Sequence, residues 1–125
     1  MKYLFLLLAL TIGLISCSKD DNCDDSSLGT AIIGEWDVIV IGLNTGSVEF
    51  KSGGELVDED DALVGGEAGG MPLDQKSYTV NSNLSVTVRA ENDNGSIEYD
   101  IDVLSYDCDE IEINVAGFDA SLRRD

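Results

Sequence analysis

The segment Leu84-Ser85-Val86-Thr87-Val88-Arg89-Ala90-Glu91-Asn92-Asp93-Asn94-Gly95-Ser96-Ile97-Glu98-Tyr99-Asp100-Ile101-Asp102-Val103-Leu104 decides the fold class. In its first half Leu84, Val86, Val88 and Ala90 alternate with Ser85, Thr87 and Arg89. In its second half Ile97, Tyr99, Ile101 and Val103 alternate with Glu98, Asp100 and Asp102. A strict period of two places one set on a buried face and the other in water, as in a half-buried antiparallel strand. Between the halves, Asn94-Gly95 is a two-residue turn signal, because both central positions of such a turn favour positive φ. The stretch predicts a β-hairpin.

The pattern continues outward. Ile111, Ile113 and Val115 alternate with Glu110, Glu112 and Asn114. Upstream, Trp36, Val38 and Val40 alternate with Asp37, Ile39 and Ile41, and Asn44-Thr45-Gly46 predicts a turn into Ser47 to Lys51, with Val48 and Phe50 inward. Ser52-Gly53-Gly54 predicts a further turn into Glu55-Leu56-Val57, and Lys76 to Val80 a strand ended by Asn81-Ser82-Asn83. Seven or eight short strands joined mostly by hairpin-length turns predict an all-β domain, a small antiparallel up-and-down barrel, over residues 31–125. The competing architecture is an immunoglobulin-like sandwich, suggested by Cys23, Trp36 and Tyr106-Asp107-Cys108. Against it, Cys23 lies in Asp20-Asp21-Asn22-Cys23-Asp24-Asp25, which a sandwich core would not bury.

Asp58 to Leu73 interrupts the rhythm. Asp58-Glu59-Asp60-Asp61 leads into Gly65-Gly66 and Gly69-Gly70, with only Ala62-Leu63-Val64 able to form a short strand. A loop of this length is expected to be either a solvated excursion or a mobile flap over the barrel mouth.

The first residues address the chain. Lys2 and the apolar run Tyr3 to Leu14 have the form of an export signal, and Leu14-Ile15-Ser16-Cys17 resembles a bacterial lipobox. Residues 1–16 are expected to be removed and Cys17 to become the lipid anchor, holding the protein on the membrane through its acyl chains. Residues 17–30 are expected to be a flexible acidic tether. Within them Ser18-Lys19-Asp20-Asp21 resembles the surface-export tag of Bacteroidota lipoproteins, implying an outer-membrane protein that faces the cell surface, the alternative being the periplasmic face.

The net charge of −18 repels nucleic acid, and any protein partner is expected to be basic. Histidine is absent, which removes the commonest general base and metal ligand. With Cys17 lipidated, Cys23 and Cys108 remain. They predict a disulfide in an oxidising compartment, with free thiols or an intermolecular bond as alternatives. The acidic clusters could attract calcium, and Glu98, Asp100 and Asp102 could lie near Glu110 and Glu112. No EF-hand spacing exists, since Ala90 occupies the first ligand position before Glu91-Asn92-Asp93-Asn94-Gly95. Nor does any carboxylate pair stand out for glycosidase chemistry. Gly65-Gly66-Glu67-Ala68-Gly69-Gly70 lacks the lysine of a phosphate loop. The expectation is therefore a non-enzyme with no metal site and no cofactor.

Gly34-Glu35-Trp36, followed by Gly46-Ser47-Val48-Glu49-Phe50-Lys51-Ser52-Gly53-Gly54 and later by Ser77-Tyr78-Thr79-Val80 and Asp109-Glu110-Ile111-Glu112-Ile113, resembles the lipocalin-like lipoprotein domains of the Bacteroidota. The resemblance spans Ile33 to about Ala116. It implies a barrel with Trp36 on its floor, and it transfers no ligand-contacting residue, because that family has no fixed ligand signature. On this reading a small apolar molecule would sit inside, against Trp36, Val38, Phe50, Tyr78, Val86, Tyr99 and Ile101. A barrel this small can also fill itself with its own side chains and work through its acidic face.

Overall fold

The computed structural model describes residues 23–124. A helical turn, α1 (Leu28–Ala31), precedes strands β1 (Gly34–Val40), β2 (Leu43–Phe50), β3 (Leu56–Val57), β4 (Glu67–Ala68), β5 (Met71–Pro72), β6 (Gln75–Ser82), β7 (Ser85–Asn92), β8 (Gly95–Tyr106), β9 (Glu110–Val115) and β10 (Phe118–Arg123). Eight strands form one antiparallel sheet in the order β3-β2-β1-β10-β9-β8-β7-β6. At its free edges Tyr78 N donates to Gly54 O at 2.9 Å and Glu55 bridges Ser77, so the sheet nearly closes on itself. Within this sheet each pair of strands joined by a hairpin lies side by side and β10 returns to β1, while β4 and β5 pair apart from it. The domain is thus a small up-and-down antiparallel barrel of lipocalin-like form, and a single ring replaces the two stacked sheets of the immunoglobulin alternative.

The alternation places the core. Trp36, Val38, Val48, Phe50, Val86, Val88, Ala90, Ile101, Val103, Ile111, Ile113 and Leu122 are all buried, while their strand neighbours, Ser121 excepted, are partly or fully exposed. Leu84 and Ile97 depart from the pattern: Leu84 lies just before β7 and is 63% exposed, and Ile97, beside the β7–β8 turn, is 40% exposed, because both lie toward the ends of the wall.

Two turns differ from expectation. The β7–β8 loop is Asp93-Asn94, with Asn92 paired to Gly95, and neither loop residue has positive φ. Instead, the Asn92 carboxamide oxygen accepts from the backbone of Asn94 and Gly95 at 2.7 and 3.1 Å, which closes the turn by an Asx contact. Moving a turn by one residue shifts the register by two, so every side chain keeps its face. At β1–β2 the chain reverses at Ile41-Gly42, with φ of 52° and 76°, rather than at Asn44-Thr45-Gly46. A register shift after Val38 makes Thr45 the extra residue, its hydroxyl donating to Val38 O at 3.2 Å.

Glu98, Asp100, Asp102, Glu110 and Glu112 do not confront one another, whereas Glu35 and Glu49 stand opposite across β1–β2. The register sets Glu98 opposite Arg89, Asp100 opposite Thr87, Asp102 between Ser85 and Asn114, and Glu110 opposite Arg123. Among the described residues, four of these acids have side-chain partners: Arg89–Glu98 at 3.3 Å, Thr87 to Asp100 at 2.6 Å, Arg123–Glu110 at 2.7 Å and Ser121 to Glu112 at 2.9 Å. Opposite charges and hydroxyls across a strand pair relieve the repulsion that like charges would impose.

The segment expected to be wholly a flexible tether is packed from Leu28 onward. Leu28 and Ala31 are fully buried, and Leu28 N donates to the Asn83 side chain at 3.0 Å. Cys23 and Cys108 form a disulfide, with Cα atoms 5.9 Å apart, joining the start of the described chain to the β8–β9 turn. The Leu14–Cys17 lipobox, the Cys17 anchor and the Ser18–Asp21 tag lie outside the described residues.

Candidate functional site

The barrel has two differently built ends. At the end that carries α1 and the disulfide, Trp36 is buried and its indole N–H donates to Ile32 O at 2.8 Å. The Arg124 guanidinium lies 3.9 Å from the Trp36 ring centroid and donates to Ala31 O at 3.0 Å and Ile33 O at 2.5 Å. A cation on the face of an indole is held by the ring quadrupole, and here it also satisfies carbonyls left open where the helical turn ends. Trp36 is therefore a floor residue, and Arg124, just after a strand that the alternation did not reveal, is its partner.

The opposite end is the mouth, covered by residues 58–74. Asp58 is 3% exposed despite its acidic neighbourhood. Its carboxylate accepts from the backbone of Ala62 at 2.7 Å, Leu63 at 2.8 Å and Val64 at 2.9 Å, so it acts as the staple of a tight loop. Lys76, on β6, lies 3.8 Å from that carboxylate, donates to the Asp58 carbonyl, and pairs with Asp61 at 2.5 Å. The Tyr99 hydroxyl donates to Leu63 O. On the far side, the Asn92 carboxamide donates to the carbonyls of Ala68 at 3.1 Å and Met71 at 2.9 Å. Fixed from both sides, the loop drives Leu63, Val64 and Leu73 into the core, leaving them 6%, 2% and 5% exposed. The segment is an ordered lid rather than a solvated excursion, and β4 and β5 form its own two-residue hairpin.

The side chains expected to line a ligand cavity converge inside. Trp36, Val38, Phe50, Tyr78, Val86 and Ile101 belong to one buried cluster that also contains Leu28, Ile32, Leu63, Val64 and Leu73, with Tyr99 packed against it. Phe50 and Tyr78 meet edge to face, centroids 4.9 Å apart, and the Tyr78 hydroxyl donates to Lys51 O at 2.6 Å. Burial raises the phenols of Tyr78 and Tyr99 above the ordinary value of 10.0, and the Asp58 carboxylate adds to the shift at Tyr99. At the edge of this cluster, against Leu56 and Leu73, an open depression of about 470 Å³ lies between the lid and β6, bordered also by Glu55, Asp58, Glu59, Asp61, Asp74 and Lys76.

Of the four contiguous acids, Asp58 turns inward while Glu59, Asp60 and Asp61 stay exposed. Among the described residues no three His, Cys, Asp or Glu side chains converge as metal ligands. The residues that sequence reasoning missed are Asp58 as a staple, Lys76 as its companion, Arg124, and the lid's apolar triad. A local signal existed only for two of the last, in the apolar run Ala62-Leu63-Val64 between four acids and Gly65-Gly66.

No protein-family model, no curated protein and no solved structure matches this chain.

Proposed function

We propose that this chain is a lipid-anchored outer-membrane protein, displayed at the cell surface, whose packed barrel is a non-catalytic scaffold for a basic protein partner. The observation that carries this reading is the interior. The side chains available to line a cavity pack against one another, and α1 and the lid contribute to the same apolar cluster from the two ends. Such a core leaves the outer surface as the working part, and with a net charge of −18 that surface favours a cationic partner. The lipobox at Leu14-Ile15-Ser16-Cys17 and the acidic tag after it support the address.

A second reading is favoured by one feature. The plug of the mouth, Leu63, Val64 and Leu73, comes from a loop and not from the wall, so an apolar molecule could take its place if the lid opened. Native mass spectrometry of the full chain, extracted in detergent from its own host, separates the two. A lipidated mass with no further adduct fits the scaffold. A stoichiometric small-molecule adduct that survives purification overturns it in favour of the carrier. Cys17→Ser is expected to release the protein from the membrane fraction, and retention would refute the anchor.

A further inference from the structure

We propose that the tip formed by Ile41, Leu43 and Phe118 at the mouth end is the docking site for that basic partner; the inference rests on the scaffold reading above. The β1–β2 and β9–β10 hairpins stand side by side because β1 pairs with β10, and Ile41 and Gly42 border the same depression as Asp119 and Ala120. Their apolar residues project unburied: Ile41 is 89% exposed, Leu43 69% and Phe118 72%.

Ile41 is anomalous twice over. It occupies the first central position of a two-residue hairpin with φ of 52°, where asparagine, aspartate or glycine is the low-cost choice and a β-branched residue an outlier. The same side chain is almost wholly in water, so neither backbone geometry nor core packing accounts for isoleucine there. An outlier of this kind points to use of the side chain itself.

Charge selects the occupant. Asp60, Glu67, Asp74 and Asp93 are exposed in the lid and turns at this end, and Asp119 at the start of β10. Lys76, under the lid, has a side chain 7% exposed and already paired. Arg123 reaches the depression that Ile41 and Gly42 border but is paired with Glu110 at 2.7 Å, Lys51 and Arg124 lie toward the opposite end, and Arg89 is paired midway along the wall. An apolar tip in an acidic surround fits a protein surface with an apolar pocket rimmed by Lys and Arg. It repels both a second copy of this chain and an anionic bilayer. The disulfide ties the chain start to the end away from the tip, so an anchor six residues before Cys23 leaves the tip facing outward.

The test is site-specific photocrosslinking in cells of the host that express the full chain, with p-benzoylphenylalanine at position 43, 118 or, on the outer wall, 79. The expected result is one protein adduct of net positive charge at 43 and 118 and not at 79. With Ile41→Asn in the same chain its yield should fall about tenfold, the loss of a hot-spot contact. Equal adducts at 79 overturn the tip and leave the scaffold reading intact, whereas no adduct at any position overturns both. An adduct with lipid or with a second copy overturns the basic partner. Separately, Ile41→Asn is expected to leave Tm unchanged or raise it by up to about 5 °C, because asparagine tolerates the turn geometry. A lowered Tm would make Ile41 a folding element and sink the proposal.

Discussion

Removing the Asp58 carboxylate should unfasten the lid while leaving the barrel wall standing. In Asp58→Ala the backbone amides of Ala62, Leu63 and Val64 lose acceptors at 2.7, 2.8 and 2.9 Å, and Lys76 loses a carboxylate at 3.8 Å. A hydrogen bond to a charged group contributes about 1.5–3 kcal/mol, and a buried donor without an acceptor costs about 1–3 kcal/mol. Three such donors would exceed the whole opening energy of a loop, so the lid escapes by exposing them to water. The expected destabilisation of the closed lid is then about 3–5 kcal/mol. Since 1.4 kcal/mol is tenfold, the amides of residues 62–64 should exchange with deuterium at least about 100-fold faster, with Leu73 following. Amides of β7, β8 and β9 should change far less, because their hydrogen bonds lie within the ring. Asp58→Asn retains one carbonyl oxygen and should show about half the effect in free energy. Native-state hydrogen exchange read by mass spectrometry of the peptide spanning the lid makes the measurement. Exchange at residues 62–64 within about threefold of wild type would show that the carboxylate does not hold the lid.

Reducing the Cys23–Cys108 bond, or Cys108→Ser, should lower stability by up to about 4.5 kcal/mol for an 85-residue separation, visible as a fall in urea midpoint on adding reductant; an unchanged midpoint would place the restraint outside the folding unit. Arg124→Ala should cost about 2–3 kcal/mol by removing the Trp36 stack and the donors to Ala31 O and Ile33 O, and Arg124→Lys should recover less than half, because an ammonium cannot stack and fork together; full recovery would reduce the contact to charge alone. Alkaline pH should destabilise the fold through Tyr78 and Tyr99. Their phenols hold protons longer folded than unfolded, so this contribution is complete below about pH 10 and declines as pH rises through the raised folded values. Tyrosinate absorbance should therefore develop in step with unfolding above pH 10, and Tyr99→Phe should shift the transition upward; titration of both phenols at their ordinary value in the folded protein would refute the burial argument.

The wall of this barrel was legible because alternation is local. Val86, Val88, Ile101, Val103, Ile111 and Ile113 are buried as a period of two requires, and that outcome survived a β7–β8 turn one residue away from the expected place. Strand β10 was not legible, since Phe118-Asp119-Ala120-Ser121-Leu122 offers only small or exposed residues between Phe118 and Leu122. Strand β1 was read through Ile41, whereas the chain turns there, because its apolar character outweighed the neighbouring Gly42 as a signal. The interior positions Trp36, Val38, Phe50, Val86, Tyr99 and Ile101 followed from the strand pattern and Tyr78 from its place in an expected strand, but what fills the space between them did not.

The amino-acid sequence by itself determined an all-β chain of short antiparallel strands, an acidic surface and a cysteine pair able to close across the domain. Those properties follow from side-chain period, charge and residue type, which need no knowledge of distant neighbours. Tertiary structure decided the lid. Asp58 reads as one more solvated acid among four until the ring brings Lys76 and Tyr99 to it, and Leu63, Val64 and Leu73 read as loop residues until closure of the barrel creates an apolar mouth to receive them. Closure likewise set Arg124 on Trp36 across almost the whole chain. Burial of a carboxylate and the seat of a plug are properties of an enclosed space, and that space exists only once the strands have met.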